Sequence, residues 1–207
     1  MILSAHQLDF CPYSGFWKKM ANSNVFDVMI FSQFKKDNYS NRVRIGEKLS
    51  WLNVKVEEHL IPMNEILMIE SSQEKVFNDL EAEYKNSLFF KKYRNELWEI
   101  THDTKYKYFW EFSWRMLLFI KKSLKIETPV AIGRDTTLKK SEALIEKCKI
   151  YNADKYLSGS GGKEYLDIDL FLKNGIVVDF LEHEVLYSGS VLHLMFTEEK
   201  PMEKIMR

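Results

Sequence analysis

The sequence predicts an α/β fold, a single domain with a mostly parallel sheet, helices on both faces and a helical middle segment. Short apolar runs of strand length alternate with segments of helical period in the first and last thirds of the chain, which is typical of parallel sheets. The 207 residues contain no repeat and no Pro/Gly-rich linker. One domain spanning residues 1–207 is therefore expected.

The first third of the chain begins with an apolar run, residues 1–5, that stops at the polar pair His6-Gln7. Such a run predicts a buried strand that ends in a loop. The segments expected after it are, in order, a loop over 8–15, a helix over 16–21, strands over 25–31 and 51–56, and a further apolar run over 66–69.

The middle of the chain is expected to be helical, because apolar residues recur there at spacings of three and four. The predicted helices are residues 109–124 and residues 74–93, the latter with one apolar face of Val76, Leu80, Tyr84 and Leu88. The last third is expected to alternate again, with strands over 130–132 and 176–180 and helices over 138–151 and 165–172.

Composition and charge exclude several classes of function. Lys plus Arg and Asp plus Glu number 30 each, so the formal net charge is zero and no global field favours nucleic acid or an anionic membrane. Two distant cysteines, Cys11 and Cys148, predict reduced thiols and no disulfide scaffold. No apolar run is long enough for a membrane span and no signal peptide is visible, so a cytoplasmic protein is expected.

The first candidate site is the loop after the first predicted strand. Ligands of parallel sheets bind beyond the carboxyl ends of the strands, and His6 and Gln7 place a titratable nitrogen and an amide there. Backbone N–H groups at the helix start near Gly15 would suit a phosphate or a carboxylate. The alternative is that His6 only closes the strand end through a hydrogen bond.

The second candidate site follows the second predicted strand, so it is expected at the same edge of the sheet. Arg42 and Arg44 offer planar guanidinium groups for a phosphate or a carboxylate, and Asn41 can orient them. The alternative is a solvated polar loop.

The third candidate site is the run Ser158-Gly159-Ser160-Gly161-Gly162. Glycine allows left-handed backbone and the close approach of a ligand, and a helix beginning after the run would add an anion-binding nest. The spacing matches neither the dinucleotide fingerprint nor a Walker loop. The alternative is a flexible turn.

No metal site is predicted. The histidines His59, His102, His183 and His193 lack metal-ligand spacing. Mg²⁺ is expected only if ATP is used, so the cofactor stays open.

Taken together, these segments resemble the WbqC-like family of bacterial proteins. The matching residues extend over nearly the whole chain; they are His6-Gln7, Phe10, Pro12-Tyr13, Gly15-Phe16, Lys18, Gln33-Phe34, Asn41-Arg42, Ile45, Trp51-Leu52, Tyr84, Tyr156-Leu157-Ser158-Gly159, Gly161-Gly162 and Tyr165-Leu166. Leu8 and Asp9 depart from the family pattern, which usually has Pro and Asn at these positions.

The family is often associated with surface-polysaccharide and O-antigen gene clusters, so the resemblance implies an enzyme that modifies a sugar or sugar nucleotide. The strand, the His-containing loop and the helix are also similar to nucleotidyltransferase-type α/β enzymes, including those that form amides through acyl-adenylates. ATP-dependent acyl or aminoacyl transfer to an amino sugar is therefore the expected reaction, with a small-molecule substrate and no nucleic acid. A non-catalytic module that binds a nucleotide sugar or a protein is the alternative.

The site expected from residues and resemblance together has two parts. The catalytic residues are His6, Gln7 and Arg42. The cofactor-binding residues are Gly15, Lys18, Asn41, Arg44, Ser158, Gly159, Gly161, Gly162 and Tyr165.

Overall fold

The computed structural model describes residues 1–36, 38–57, 60–102 and 105–207, so His59 lies outside the described residues. The strands are β1 (Ile2–Gln7), β2 (Val25–Met29), β3 (Arg42–Ile45), β4 (Ser50–Asn53), β5 (Val130–Ile132), β6 (Lys155–Gly159) and β7 (Val177–Leu181). The α-helices are α1 (Ser14–Ala21), α2 (Ser72–Tyr84), α3 (Phe90–His102), α4 (Phe109–Ser123), α5 (Lys140–Ile150), α6 (Ile168–Lys173), α7 (Val191–Thr197) and α8 (Pro201–Ile205).

Five strands form one parallel sheet in the order β5-β2-β1-β6-β7. The central strand β1 pairs with β2 on one side, where Leu3 lies opposite Val25, and with β6 on the other, where Leu3 lies opposite Tyr156. The chain therefore builds the sheet outward from β1 in both directions. This architecture confirms the predicted α/β fold with a mostly parallel sheet.

Helices cover both faces of this sheet, because successive side chains of each strand alternate between the faces. On one face, the Phe16 ring of α1 packs edge-on against Phe26 of β2, with ring centroids 5.0 Å apart. On the other face, Tyr156 of β6 stacks on Phe171 of α6 at 5.5 Å. A fully buried aromatic side chain of this kind contributes about 1.5–3 kcal/mol to folding.

The hairpin of β3 and β4 is a separate antiparallel pair. Residues 42–45 therefore form a strand where a polar loop was the alternative prediction, because Val43 and Ile45 alternate with the arginines and are buried. The predicted strand over residues 51–56 is confirmed in its first part by β4. Its last residue, Val56, forms only an isolated bridge, to Met68.

The prediction of one helix over residues 74–93 is wrong. Helix α2 ends at Tyr84 and α3 begins at Phe90, and the side chain of Leu88 between them is 83% exposed. The break lets Phe90 turn inward against Phe196 of α7, with ring centroids 5.1 Å apart. The residues of the break, Lys85 to Phe89, include Asn86 and Ser87, which are weak helix formers.

Two further differences lie in the last third. The helix predicted over residues 165–172 begins at Ile168, after a 3-10 turn over Ser160–Glu164, and the Asp167 side chain caps it by accepting a hydrogen bond from the Leu170 N–H. The strand β6 and the helices α7 and α8 were not predicted. Among the described residues, no helix combines the length and the apolar character that a membrane crossing requires.

Candidate active site

A cleft of about 610 Å³ lies at the carboxyl ends of β1 and β6. These two strands are neighbours in the sheet, but the chain leaves them towards opposite edges. In open α/β sheets, ligands bind at this kind of topological switch point. The volume is within the range of about 300–1,000 Å³ that is typical of small-molecule sites.

Most of the predicted site residues line this one cleft. They are His6, Gln7, Gly15, Ser158, Gly159, Gly161, Gly162 and Tyr165. The sheet brings them together because β1 and β6 are adjacent and parallel, so the segments that follow the two strands emerge at the same edge.

The remaining predicted site residues make other contacts. Lys18 donates hydrogen bonds to the carbonyl oxygens of Glu182 and Arg207, at 2.7 and 3.0 Å. The buried amide of Asn41 donates to Asn53 Oδ1 and to the Val54 carbonyl oxygen, both at 3.0 Å, and so fixes the end of the hairpin.

Arg42 and Arg44 lie on the hairpin, outside the lining of the cleft. Their guanidinium carbons stand 4.2 and 3.6 Å from the centroid of the Trp51 ring. This double cation–π contact orders both side chains on one exposed aromatic ring.

His6 lines the cleft with an uncharged ring. Its Nδ1 lies 3.0 Å from the Gln7 carbonyl oxygen, and because a carbonyl can only accept, Nδ1 carries the proton in this hydrogen bond. Burial and the nearby charge of Lys19 lower the pKa of His6 to about 3. The neutral ring therefore keeps the lone pair of Nε2 as a hydrogen-bond acceptor.

Lys19 lines the cleft but was not among the predicted site residues. Its ammonium lies almost fully buried against β1, where it donates a hydrogen bond to the Ala5 carbonyl oxygen at 3.2 Å. Burial lowers its pKa to about 8, and the nearby Asp9 opposes this shift, so the group is cationic at neutral pH. The signal was its spacing: Lys19 follows Phe16 by three positions and therefore lies on the buried face of α1.

The four glycines of the cleft differ in the space that a side chain would find at their positions. A Cβ on Gly15 would lie 2.5 Å from the Tyr13 ring, and one on Gly162 would lie 2.1 Å from Ser158 Oγ, so packing requires both. A Cβ on Gly159 or Gly161 would meet nothing within 4 Å. At these two positions the protein itself leaves the space open, which suits the close approach of a ligand.

A second, smaller cavity of about 260 Å³ adjoins the cleft at Tyr13, whose side chain lines both. The described residues that line it are Asp9, Phe10, Pro12, Tyr13, Tyr39, Val43, Val185 and Ser188. The loop after β1 and the segment before β3 thus share this cavity, and the Phe10 N–H donates to the Ser40 carbonyl oxygen at 3.1 Å between them.

Asp9 stands between the two cavities. Its Oδ2 lies 3.7 Å from His6 Nδ1, and it lines the smaller cavity. Desolvation raises the pKa of Asp9 to about 7, although the charge of Lys19 opposes the shift. An aspartate that can gain or lose a proton near neutral pH is suited to general acid–base chemistry.

Within the described part of the chain, no group of three or more His, Cys, Asp or Glu side chains could hold a metal ion. The family model of the WbqC-like protein family matches residues 7–197. Neither a curated protein nor a solved structure matches the chain.

Proposed function

The chain belongs to the WbqC-like protein family, and we propose that it is an enzyme that modifies a sugar or sugar nucleotide in surface-polysaccharide assembly. The reaction we propose is ATP-dependent transfer of an acyl or aminoacyl group to an amino sugar. The main support for the proposal is the cleft at the switch point between β1 and β6, because His6 and the residues of the Ser158–Gly162 run all line it.

The charges and backbone of the cleft support a phosphorylated ligand. Its lining includes two lysines, Lys19 and Lys140, against one carboxylate residue, Glu164. Gly15 belongs to the first turn of α1, where N–H groups have no partner within the helix, and the Tyr13 side chain does not cap it. The Phe16 N–H donates to the Tyr13 carbonyl oxygen at 3.2 Å. Ammonium groups and helix N-termini are the usual partners of phosphate oxygens.

The proposed chemistry has two steps. A carboxylate oxygen of the acyl donor forms a bond to the α-phosphorus of ATP, and pyrophosphate leaves with the electron pair of the broken P–O bond. The amino nitrogen of the acceptor then forms a bond to the acyl carbon, and AMP leaves. Mg²⁺ would arrive with the ATP as the complex in which the nucleotide is normally used.

His6 and Gln7 would act at the reacting centre, because they end the central strand at the base of the cleft. The Gln7 amide can donate a hydrogen bond to the oxygen on which negative charge develops. The uncharged His6 ring can accept one from a ligand hydroxyl or amine through Nε2. The open space at Gly159 and Gly161 would admit the nucleotide.

Nucleotide binding and exchange chemistry test the proposal. We expect ATP with Mg²⁺ to bind in calorimetry and to raise the melting temperature, because a ligand at a hundred times its Kd adds about 2.7 kcal/mol. A screen of amino acids and short carboxylic acids should then find one that drives the exchange of labelled pyrophosphate into ATP. Gly161→Leu, which fills the open space, should abolish both, whereas Lys173→Leu on the exposed side of α6 should not.

Two results would contradict the proposal. Unchanged ATP affinity in Gly161→Leu would place the nucleotide outside this cleft. Tight binding of a nucleotide sugar with no product under any combination of donor and acceptor would favour the binding module instead.

A further inference from the structure

We propose that the smaller cavity beside Tyr13 is the binding site for the acceptor's amino group and that the carboxylate of Asp9 takes a proton from that group. This inference rests on the proposed acyl transfer and names the place of its second substrate. It follows from the position of Asp9, from the chemistry of the cavity lining and from the rigidity of the loop between the two cavities.

Asp9 lies where the two cavities meet. Tyr13 lines both cavities, and Asp9 lies within 3.7 Å of His6, which lines the cleft. An amine held beside Asp9 is thus next to the end of β1, where the acyl group of a donor in the cleft would be presented. The two substrates of a transfer reaction need such neighbouring sites, because a fixed approach of the reacting atoms lowers the barrier.

The lining of the smaller cavity is suited to an ammonium group. Three aromatic rings, those of Phe10, Tyr13 and Tyr39, line the cavity, and the described lining contains one carboxylate, that of Asp9. Aromatic faces and a carboxylate are the groups that recognise an ammonium ion. The volume of about 260 Å³ falls below the usual range for drug-sized ligands, so the cavity suits a single ring that carries an amine.

The loop that carries Asp9 is held rigidly by two hydrogen bonds. The Trp17 Nε1–H donates to the Pro12 carbonyl oxygen at 3.1 Å, and the Ser190 hydroxyl donates to the Cys11 carbonyl oxygen at 2.7 Å. Cys11 itself has a left-handed backbone, with φ of 45°. A non-glycine residue holds this conformation only where the surrounding contacts impose it.

Two protons leave the acceptor nitrogen during the transfer. Its ammonium form gives the first proton to the Asp9 carboxylate, which frees the nitrogen lone pair. The nitrogen forms the C–N bond to the acyl carbon of the acyl-adenylate, the acyl–oxygen bond breaks with its electron pair on the phosphate, and the second N–H proton leaves with that phosphate. The raised pKa of Asp9 supports this role, since a stronger base accepts a proton more readily.

Methyl β-D-glucosaminide and methyl β-D-glucoside form a matched pair of probes, because they differ only in an amine and a hydroxyl. We expect saturation-transfer NMR on the full chain to detect the amine and to show at least tenfold weaker binding of the hydroxyl probe. Two variants should each weaken binding of the amine probe by tenfold or more. Asp9→Asn keeps the shape of the side chain, and Ser188→Phe fills the exposed mouth of the cavity. The exposed control Asp169→Asn should not weaken this binding.

ATP affinity, measured on the same samples, separates this inference from the proposed function. Equal binding of the two probes, or amine binding that survives both variants, would overturn the amine site. If Asp9→Asn loses the binding of ATP together with the binding of the amine probe, the two ligands do not occupy separate sites and the inference fails. If the amine binds as expected and no nucleotide does, the proposed function fails while the amine site stands.

Discussion

His6 Nδ1 and Asp9 Oδ2 lie 3.7 Å apart, yet the two groups are not an ordinary ion pair. Burial lowers the pKa of His6 to about 3 and raises the pKa of Asp9 to about 7. Both shifts favour the uncharged form, since desolvation penalises whichever form carries the charge. The pair therefore costs folding free energy, which is common at sites whose residues serve function and not stability.

Asp9→Asn should stabilise the protein above neutral pH. The folded chain keeps a proton on Asp9 between about pH 4 and pH 7 that the unfolded chain has lost, so the free energy of unfolding falls as the pH rises through this window. The variant removes this loss, and we expect it to be more stable than the parent by on the order of 4 kcal/mol at pH 8 and no different at pH 4. Urea denaturation at the two pH values measures the difference.

The parent and the variant share the other titrating neighbours of Asp9, namely His6, Lys19 and Tyr13. Their contributions to the pH dependence therefore largely cancel in the comparison. A variant that is less stable than the parent at pH 8 would show that the Asp9 carboxylate supports the fold.

Lys19→Met and Lys18→Met form a matched pair of neighbours on α1. The charge of Lys19 lowers the pKa of His6, so its removal should raise that pKa in an NMR titration of the ring. Lys19→Met should also weaken the binding of ATP by about tenfold, which is about 1.4 kcal/mol. Lys18 points to the carbonyl oxygens of Glu182 and Arg207, and its replacement should change neither quantity. The reverse pattern would restore Lys18 as the nucleotide ligand.

Gly161→Ala and Gly162→Ala should separate ligand binding from stability. A methyl group on Gly161 meets no atom within 4 Å, and on Gly162 it would lie 2.1 Å from Ser158 Oγ. We expect Gly161→Ala to melt at or slightly above the parent temperature, with a gain of up to about 1 kcal/mol, and to bind ATP several-fold more weakly. Gly162→Ala should lose about 1–3 kcal/mol through overpacking. Calorimetry and thermal melting give both readouts, and unchanged ATP affinity in Gly161→Ala would argue against a ligand at that backbone.

His6→Ala and Arg42→Ala test which predicted catalytic residue acts on the reacting group. His6 lines the cleft, whereas the Arg42 guanidinium lies over Trp51 on the hairpin. Loss of a positioned histidine typically lowers turnover by about 10²–10⁴-fold. We expect that loss in His6→Ala without a change in melting temperature beyond a few degrees, and a much smaller effect in Arg42→Ala. Equal losses would mean that the substrate extends from the cleft to the hairpin.

Ser158 and Gly159 lie at the end of β6, a strand that was not predicted because its apolar run, Tyr156-Leu157, is only two residues long. His6 follows the apolar run of residues 1–5, which predicted a strand, and parallel strands present their ends at one edge of a sheet. Arg42 and Arg44 were expected at that edge for the same reason. They instead lie within β3 of the separate hairpin, and the packing of two guanidinium groups on one indole depends on tertiary contacts that a local pattern does not contain.

Lys19 and Leu88 illustrate the opposite limits of periodicity. Lys19 lies three positions after Phe16 on the buried face of α1, although lysine side chains are seldom buried. Leu88 continued the spacing of Val76, Leu80 and Tyr84 and is nevertheless exposed. The helix ends before Leu88, and Phe90 begins the next helix with its ring packed on Phe196, a tertiary contact that periodicity does not contain.

The central position of β1 has a consequence for biosynthesis. The hydroxyl of Ser4 donates to the Leu157 carbonyl oxygen across 153 positions of the sequence, so β1, which leaves the ribosome before β6, must wait for β6 before its second edge is paired. At about 5–20 residues per second the delay is on the order of 10–30 s. During that time a nascent chain carries an open apolar edge of the kind that chaperones recognise, and the cleft is among the last parts of the molecule to form.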